Sequence, residues 1–354
     1  MQKEQIPILL YLLYDGIENT VFASQVWQPL VKLAQNDPEQ KIRLISFERT
    51  TIAKINYHHP QIEIICLTRS FFWGKLSLWI DYQKIKRYCP NTLFTITARG
   101  PFAGWISLKL QNQNCQSLKI QVRGLAAAEY QYVHISSNLL KHFFYKLRFK
   151  QLHKLERSVF EAKSSRLTLE CVSTALKDYI LQNFQATTRQ IKIAQDDLPD
   201  PIEPNLVQMW RKAMRTKLNI LPNIKVYCYS GSTAKWQCLD KLISYFKARL
   251  KIEPDAKLLI LCPKADDFKQ ILEQAQINPA NYAVYTVPHK QIYEYLAAAD
   301  YGILFRKKDL INFVSRPTKA LEYLAVGLPI IHNNTVDWLI QNQKKSNRMI
   351  SHRD

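Results

Sequence analysis

Glycine is scarce in this chain, eight residues in 354, and none of the eight falls in a G-x-G-x-x-G or G-x-x-x-x-G-K-S/T arrangement. Those fingerprints need glycines at fixed spacing to bring backbone N–H groups against phosphate, so the common dinucleotide and P-loop motifs are absent. Cysteine occurs seven times, an odd number, at 66, 89, 115, 171, 228, 238 and 262, with no C-x-x-C pair. That spacing supports neither a disulfide framework nor a zinc site, and a reducing cytosol suits it. Long apolar runs are missing too. The stretch 8–14 is too short to span a bilayer and runs into Asp15-Gly16 without a cleavage signal, so it reads as a first buried strand. Acidic residues are few, 29 against 49 Lys and Arg, which leaves a net charge of +20. Such an excess suits phosphate-bearing ligands, nucleic acid or an anionic membrane face, and a biased nucleotide composition would also produce it. No nucleic-acid-binding module accompanies the charge, so no nucleic-acid partner is expected.

What is present is an alternation. Short apolar runs at 8–14, 42–47, 62–67, 93–97, 118–122 and 167–172 are separated by helix-length segments, the pattern of parallel strands joined by crossover helices. A polar, proline-containing stretch at 195–204 interrupts it, and the alternation restarts at 225–229, 257–261, 283–286 and 301–305. A chain of 354 residues, 47% apolar and 22% charged, is long enough for two domains that each bury a core. The expected fold class is α/β, two doubly wound Rossmann-like domains at 1–190 and 191–354. In such sheets ligands bind outside the carboxyl ends of the strands, and a cleft between the domains is the expected place. Six glycines, at 100, 104, 124, 231, 302 and 327, fall at strand ends or turns, where positive φ or close ligand approach is expected.

Three segments of the C-terminal half carry chemistry. In 315–331, Pro317 opens a helix, Glu322 lies in its early part, Gly327 ends it, and 328–331 start another buried strand. The helix entrance at Pro317 and Thr318 offers backbone N–H groups and a dipole to an anion such as a diphosphate, and Glu322 is placed to accept hydrogen bonds from ribose hydroxyls. In 226–238, a buried strand ends in Ser230-Gly231-Ser232, small residues that allow backbone contact with phosphate, with Lys235 as a nearby basic residue. In 297–306, a helix end, a turn and a strand place Arg306 at the strand's carboxyl end, where a guanidinium suits a diphosphate. Each charged residue also has a plainer reading as a solvated surface side chain.

These segments resemble the C-terminal domain of GT-B glycosyltransferases, particularly glycosyltransferase family 4. The likeness rests on Glu322-x-x-x-x-Gly327-x-Pro329, on the Ala299-Asp300-x-Gly302 strand and on the Ser230-Gly231-Ser232 loop. The family's paired-glutamate motif would put its first acid at Val314, where this chain has none; a Ser-Pro-x-Lys-x-x-Glu-Tyr-Leu-Ala variant in some bacterial relatives looks like this chain. The resemblance implies a GT-B fold, with two Rossmann-like domains facing a central cleft. It also implies transfer of a sugar from a nucleoside diphosphate sugar to a glycan or lipid-linked acceptor, with retained configuration, no divalent metal and no other cofactor. Glu322 carries over as the ribose contact. Arg306, Lys319 and Lys235 would neutralise the leaving diphosphate. Asp196-Asp197 and Asp266-Asp267 lie in polar contexts and are not expected to bind metal.

In the N-terminal half, Arg99-Gly100 and Arg123-Gly124 each end a strand-like run. Arg99 is read with the catalytic group, and Arg123 and Glu129 with the acceptor side or, equally, as a structural ion pair. Relatives often carry an acid where Gln121 stands. The segment 139–160 reads either as a basic amphipathic helix resting on anionic lipid, which would make a cytoplasmic protein peripheral to the inner membrane face, or as a core-packing helix with solvated lysines. Residues 69–80 form a second aromatic and basic stretch. After 331 the chain ends in a polar run without apolar periodicity, which suggests truncation near Lys344. An inactive protein that only binds nucleotide, or a GT-B epimerase, is therefore carried as an alternative.

Overall fold

The structure, a computed structural model, describes residues 6–19, 21–52, 55–70, 74–134, 138–195, 198–234, 237–288, 291–344 and 348–352. Lys235, Asp196, Asp197 and part of the 69–80 stretch lie outside the described residues. The chain divides into two compact units, 1–197 and 198–354.

The first unit is built on strands β1 (Ile8–Leu13), β2 (Ile42–Glu48), β3 (Ile62–Thr68), β4 (Phe94–Arg99), β5 (Cys115–Val122), β6 (Leu167–Cys171) and β7 (Ile191–Ile193). They pair in the order β3-β2-β1-β4-β5-β6-β7, with every ladder parallel. Helices α1 (Gln28–Asn36), α2 (Lys75–Lys86), α3 (Gly100–Leu110), α4 (Ala126–Val133), α5 (Leu139–Phe160) and α6 (Thr174–Asn183) supply the crossovers. The β1 sequence is apolar at every position and nearly all of it is buried, as a central parallel strand covered on both faces requires.

The second unit has β8 (Val226–Ser230), β9 (Lys257–Leu261), β10 (Tyr282–Tyr285), β11 (Tyr301–Leu304), β12 (Ile330–His332) and β13 (Met349–Ser351), ordered β10-β9-β8-β11-β12-β13 and again parallel. Its helices are α7 (Pro204–Lys217), α8 (Leu239–Leu250), α9 (Ala265–Gln274), α10 (Ile292–Ala297), α11 (Leu310–Val314), α12 (Thr318–Ala325) and α13 (Asp337–Gln343). Successive β8 residues point to opposite faces. Val226 and Cys228 join a core with Met214, Leu296 and Tyr323, while Tyr227 and Tyr229 join one with Phe246 and Phe268. Asp300 fastens this unit's framework. Its carboxylate takes Arg211 Nη2 at 2.7 Å, Arg215 Nη2 at 2.8 Å and the Val226 amide at 2.8 Å, which ties α7 to the strands at their starting ends.

Three features go beyond the reading of the sequence. β7 and β13 are three-residue edge strands, too short to show periodicity, and were not legible. β7 keeps residues up to Ile193 in the first sheet. Beyond 331 the chain forms α13 and β13, and β13 pairs with β12. Gly104 and Gly302 lie inside α3 and β11, not in turns, and serve close packing: a Cβ at 302 would stand 2.5 Å from the Tyr323 ring. All seven cysteines are free thiols. No helix among the described residues is long and apolar enough to cross a membrane.

Candidate functional site

The strand order of the second sheet reverses between β8 and β11, so their carboxyl ends flank the crevice where doubly wound sheets bind ligands. β8 delivers Ser230 and Gly231 to this edge. The buried Ser230 amide donates to Tyr323 Oη at 2.9 Å, the Gly231 amide to Leu261 O at 2.8 Å, and Tyr229 Oη to Ser232 O at 2.8 Å. The loop is therefore held at three points. Gly231 has φ +150°, and a Cβ there would fall 1.8 Å from Lys319 Nζ, so only glycine fits above the lysine.

Beyond β11, Arg306 is fixed through its backbone: its amide donates to Asn333 Oδ1 at 3.1 Å and its carbonyl accepts from Asn333 Nδ2 at 2.8 Å. Its side chain is buried, and Nη1 donates to Gln237 Oε1. Lys319, in the first turn of α12, donates to the same Gln237 oxygen at 2.8 Å and lies 4.6 Å from the centre of the Tyr229 ring. Two cations thus converge on one neutral amide oxygen, and neither makes a salt bridge among the described residues. Loss of solvent, then the charge of Arg306, hold the Lys319 ammonium well below the usual lysine pKa, against a smaller opposing effect of Glu322. Burial likewise lowers Arg306. Cations desolvated together in this way favour an anion arriving from outside.

α12 begins at Thr318 with Pro317 as its N-cap residue and no side-chain cap, and it closes at Gly327 (φ +71°), where the Leu328 amide reaches Tyr323 O at 2.8 Å. Glu322 is buried one turn into the helix, 8% exposed. Ser230, Gly231, Arg306 and Lys319 are brought together, with Glu322 on the same helix as Lys319. Val314, at the position of the missing acid, is a buried apolar residue at the end of α11. Sequence reasoning missed Gln237, Tyr229 and Tyr323. Gln237 is a neutral residue with no motif spacing to mark it.

In the first unit the same sheet edge, between β1 and β4, holds a parallel arrangement. Arg99 Nη2 donates to Gln25 Oε1, and Arg123 Nη2 reaches the same oxygen at 3.2 Å. Arg99 Nε lies 4.0 Å from Asp15. Glu129 packs against Gly124, and burial, with a smaller effect of Asp15, raises its carboxyl to about 6. Gln121 accepts from Tyr11 Oη at 2.9 Å, filling the acid position with a neutral hydrogen bond. Asp266 and Asp267 sit in the first turn of α9, where carboxylates complement the helix dipole. Among the described residues no three His, Cys, Asp or Glu side chains group to hold a metal ion.

No protein-family model matches the sequence, and no curated protein matches it. Solved structures do match. The glycosyltransferase WaaG, involved in lipopolysaccharide biosynthesis, is 14% identical with a TM-score of 0.69, covering 98% of this chain and 86% of that one. A sucrose-phosphate synthase from Thermosynechococcus elongatus is 14% identical with a TM-score of 0.66, over 93% and 82%. The Anabaena protein HepE, solved with UDP and glucose, is 12% identical with a TM-score of 0.65, over 98% and 86%. At these identities the likeness is one of fold: the chain has the GT-B fold, with parallel sheets of seven and six strands.

Proposed function

We propose that this GT-B chain is a glycosyltransferase that moves a sugar from a nucleoside diphosphate sugar to a glycan or lipid-linked acceptor, with retention of configuration and without a divalent metal. The observation that carries the reading is the convergence of Arg306 and Lys319 on Gln237 beneath Gly231. A diphosphate entering there gains two desolvated cations and the α12 N-terminus at once, the electrostatic role that a metal plays in other sugar transferases. The structures that match include one solved with UDP and glucose, which supports a nucleotide-sugar donor.

In the proposed reaction the bond between the anomeric carbon and the β-phosphate oxygen breaks, and a bond to the acceptor hydroxyl oxygen forms. The hydroxyl proton passes to the departing phosphate. Arg306 and Lys319 stabilise the charge that develops on the diphosphate, Ser230, Gly231, Ser232, Pro317 and Thr318 surround it, and Glu322 holds the ribose. Arg99 is proposed as a further catalytic cation, and Arg123 and Glu129 as acceptor-side residues. Hydrolysis of a panel of UDP- and GDP-sugars without metal, by wild type and Glu322→Ala, tests this. Donor turnover that is lost in the variant supports a working transferase site; no turnover and no nucleotide binding by the wild type overturns it.

A further inference from the structure

α5 is not an ordinary core helix along its whole length. Its second half buries Leu152, Leu155, Val159 and Phe160, whereas its first half leaves Leu139, Leu140, Phe143, Phe144 and Leu147 exposed, at 85%, 73%, 63%, 52% and 40%. Residues three to four apart stack on one side of a helix, and at about 100° per residue these five occupy an arc of about 140°. They make one continuous apolar face. Lys141 and Arg148 border it on one side and Lys146 on the other, Lys150 follows within its arc one turn beyond Leu147, and no acidic residue occurs between 139 and 155. The helix start is well formed, with Asn138 Oδ1 accepting from the Lys141 amide at 3.1 Å and Tyr145 packed on His134, the residue that follows α4, at 5.1 Å between ring centres.

The middle of α5 also walls a pocket of about 280 Å³ with α2 and α3. Its floor is apolar, Leu78, Phe102, Leu152 and Leu155, and its basic lining residues are Lys75, Arg148 and Lys154. On α2, Leu76 and Trp79 are exposed at 55% and 52%. An apolar face flanked on both sides by lysines, beside a pocket with greasy walls and basic edges, matches a layer of acyl chains beneath phosphate headgroups. It does not match water, which wets such a face poorly, or an acidic protein surface, which offers charge without an apolar layer.

We infer that the first half of α5, with the adjoining basic pocket, is a docking face for an anionic phospholipid bilayer. Leu139, Leu140, Phe143, Phe144 and Leu147 enter the acyl boundary, while Lys141, Lys146, Arg148 and Lys150 reach the headgroup phosphates. This docking does not depend on the donor reading of the second unit.

Co-sedimentation of the full chain with vesicles of phosphatidylcholine, with or without phosphatidylglycerol, tests it. The wild type is expected to partition onto phosphatidylglycerol-containing vesicles about tenfold better than onto phosphatidylcholine alone, and less well as salt rises. Phe143→Ser with Phe144→Ser is expected to lower partition about tenfold, and Lys141→Gln with Lys146→Gln and Lys150→Gln to remove the preference for phosphatidylglycerol. Far-UV circular dichroism checks that each variant is folded; all five substituted side chains are exposed, so both are expected to pass. Wild type that stays in the supernatant with every vesicle overturns the inference. So does equal partition of folded variants, or a dimer in sedimentation velocity that the Phe143 and Phe144 substitutions dissociate, which would make a second copy the occupant. UDP binding measured on the same samples reports on the donor site separately, so loss of one reading leaves the other standing.

Discussion

Lys319 occupies the space that a side chain at Gly231 would fill: the lysine nitrogen lies 1.8 Å from where a Cβ on residue 231 would be. The glycine therefore lets α12 deliver a cation to the end of β8, directly under the loop proposed to hold the diphosphate. Gly231→Ala must push the lysine aside and strain the backbone at φ +150°. We expect UDP affinity, measured by titration calorimetry, to fall about tenfold, which is about 1.4 kcal/mol. Unchanged affinity would remove Lys319 from the diphosphate site.

The same lysine should couple binding to protons. Its ammonium is held well below the usual range by lost solvation and by Arg306, and an incoming diphosphate opposes both effects, so its pKa rises on binding. Over the pH interval between the free and bound values, the complex takes up a proton that the free protein lacks. UDP affinity is therefore expected to decline as pH rises through that interval. Calorimetry in buffers of different ionisation enthalpy reads the uptake directly, and Lys319→Met should abolish it. Uptake that persists in Lys319→Met would assign the proton elsewhere.

Tyr323 performs two tasks with one side chain. Its ring lies against Gly302 in β11, and its hydroxyl accepts from the buried Ser230 amide at 2.9 Å. Tyr323→Phe keeps the ring and strands the amide, at a cost of about 1–3 kcal/mol in urea denaturation. The freed loop should also weaken UDP binding. A variant as stable as wild type would mean that the amide finds another acceptor.

Most of the strands could be read from apolar runs because parallel strands buried on both faces leave little room for polar residues, as 226–230 and 257–261 illustrate. The helix after Pro317 and its end at Gly327 were legible for a similar reason, since capping and positive φ restrict residue type. Edge strands β7 and β13 were not, because three residues with one open side impose almost no pattern. At the candidate site, residues on motif positions could be named from the sequence and the one that links Arg306 to Lys319 could not. Gln237 is marked neither by charge nor by spacing, and its role as shared acceptor for Arg306 and Lys319 exists only in three dimensions. Gln25, in the same role toward Arg99 and Arg123, escaped for the same reason.

A buried carboxylate sets a pH dependence of stability. Glu156, 2% exposed in α5, accepts from the Ala127 amide at 3.3 Å, yet burial raises its carboxyl to about 7, with the nearby charge of Glu129 adding to the rise. Its ordinary value is 4.5. Between these two pH values the unfolded chain releases a proton that the folded chain keeps, so the folded state loses stability as pH rises. The cost is absent below the ordinary value and complete above the raised one, where a gap of that size amounts to about 3 kcal/mol. Glu156→Gln retains an acceptor for the amide and removes the titration. We expect it to melt higher than wild type at pH 8, to match wild type at pH 4, and to flatten the melting-temperature profile between them. A variant that is less stable than wild type at pH 8 would show instead that the carboxylate is paired and contributes to the fold when charged.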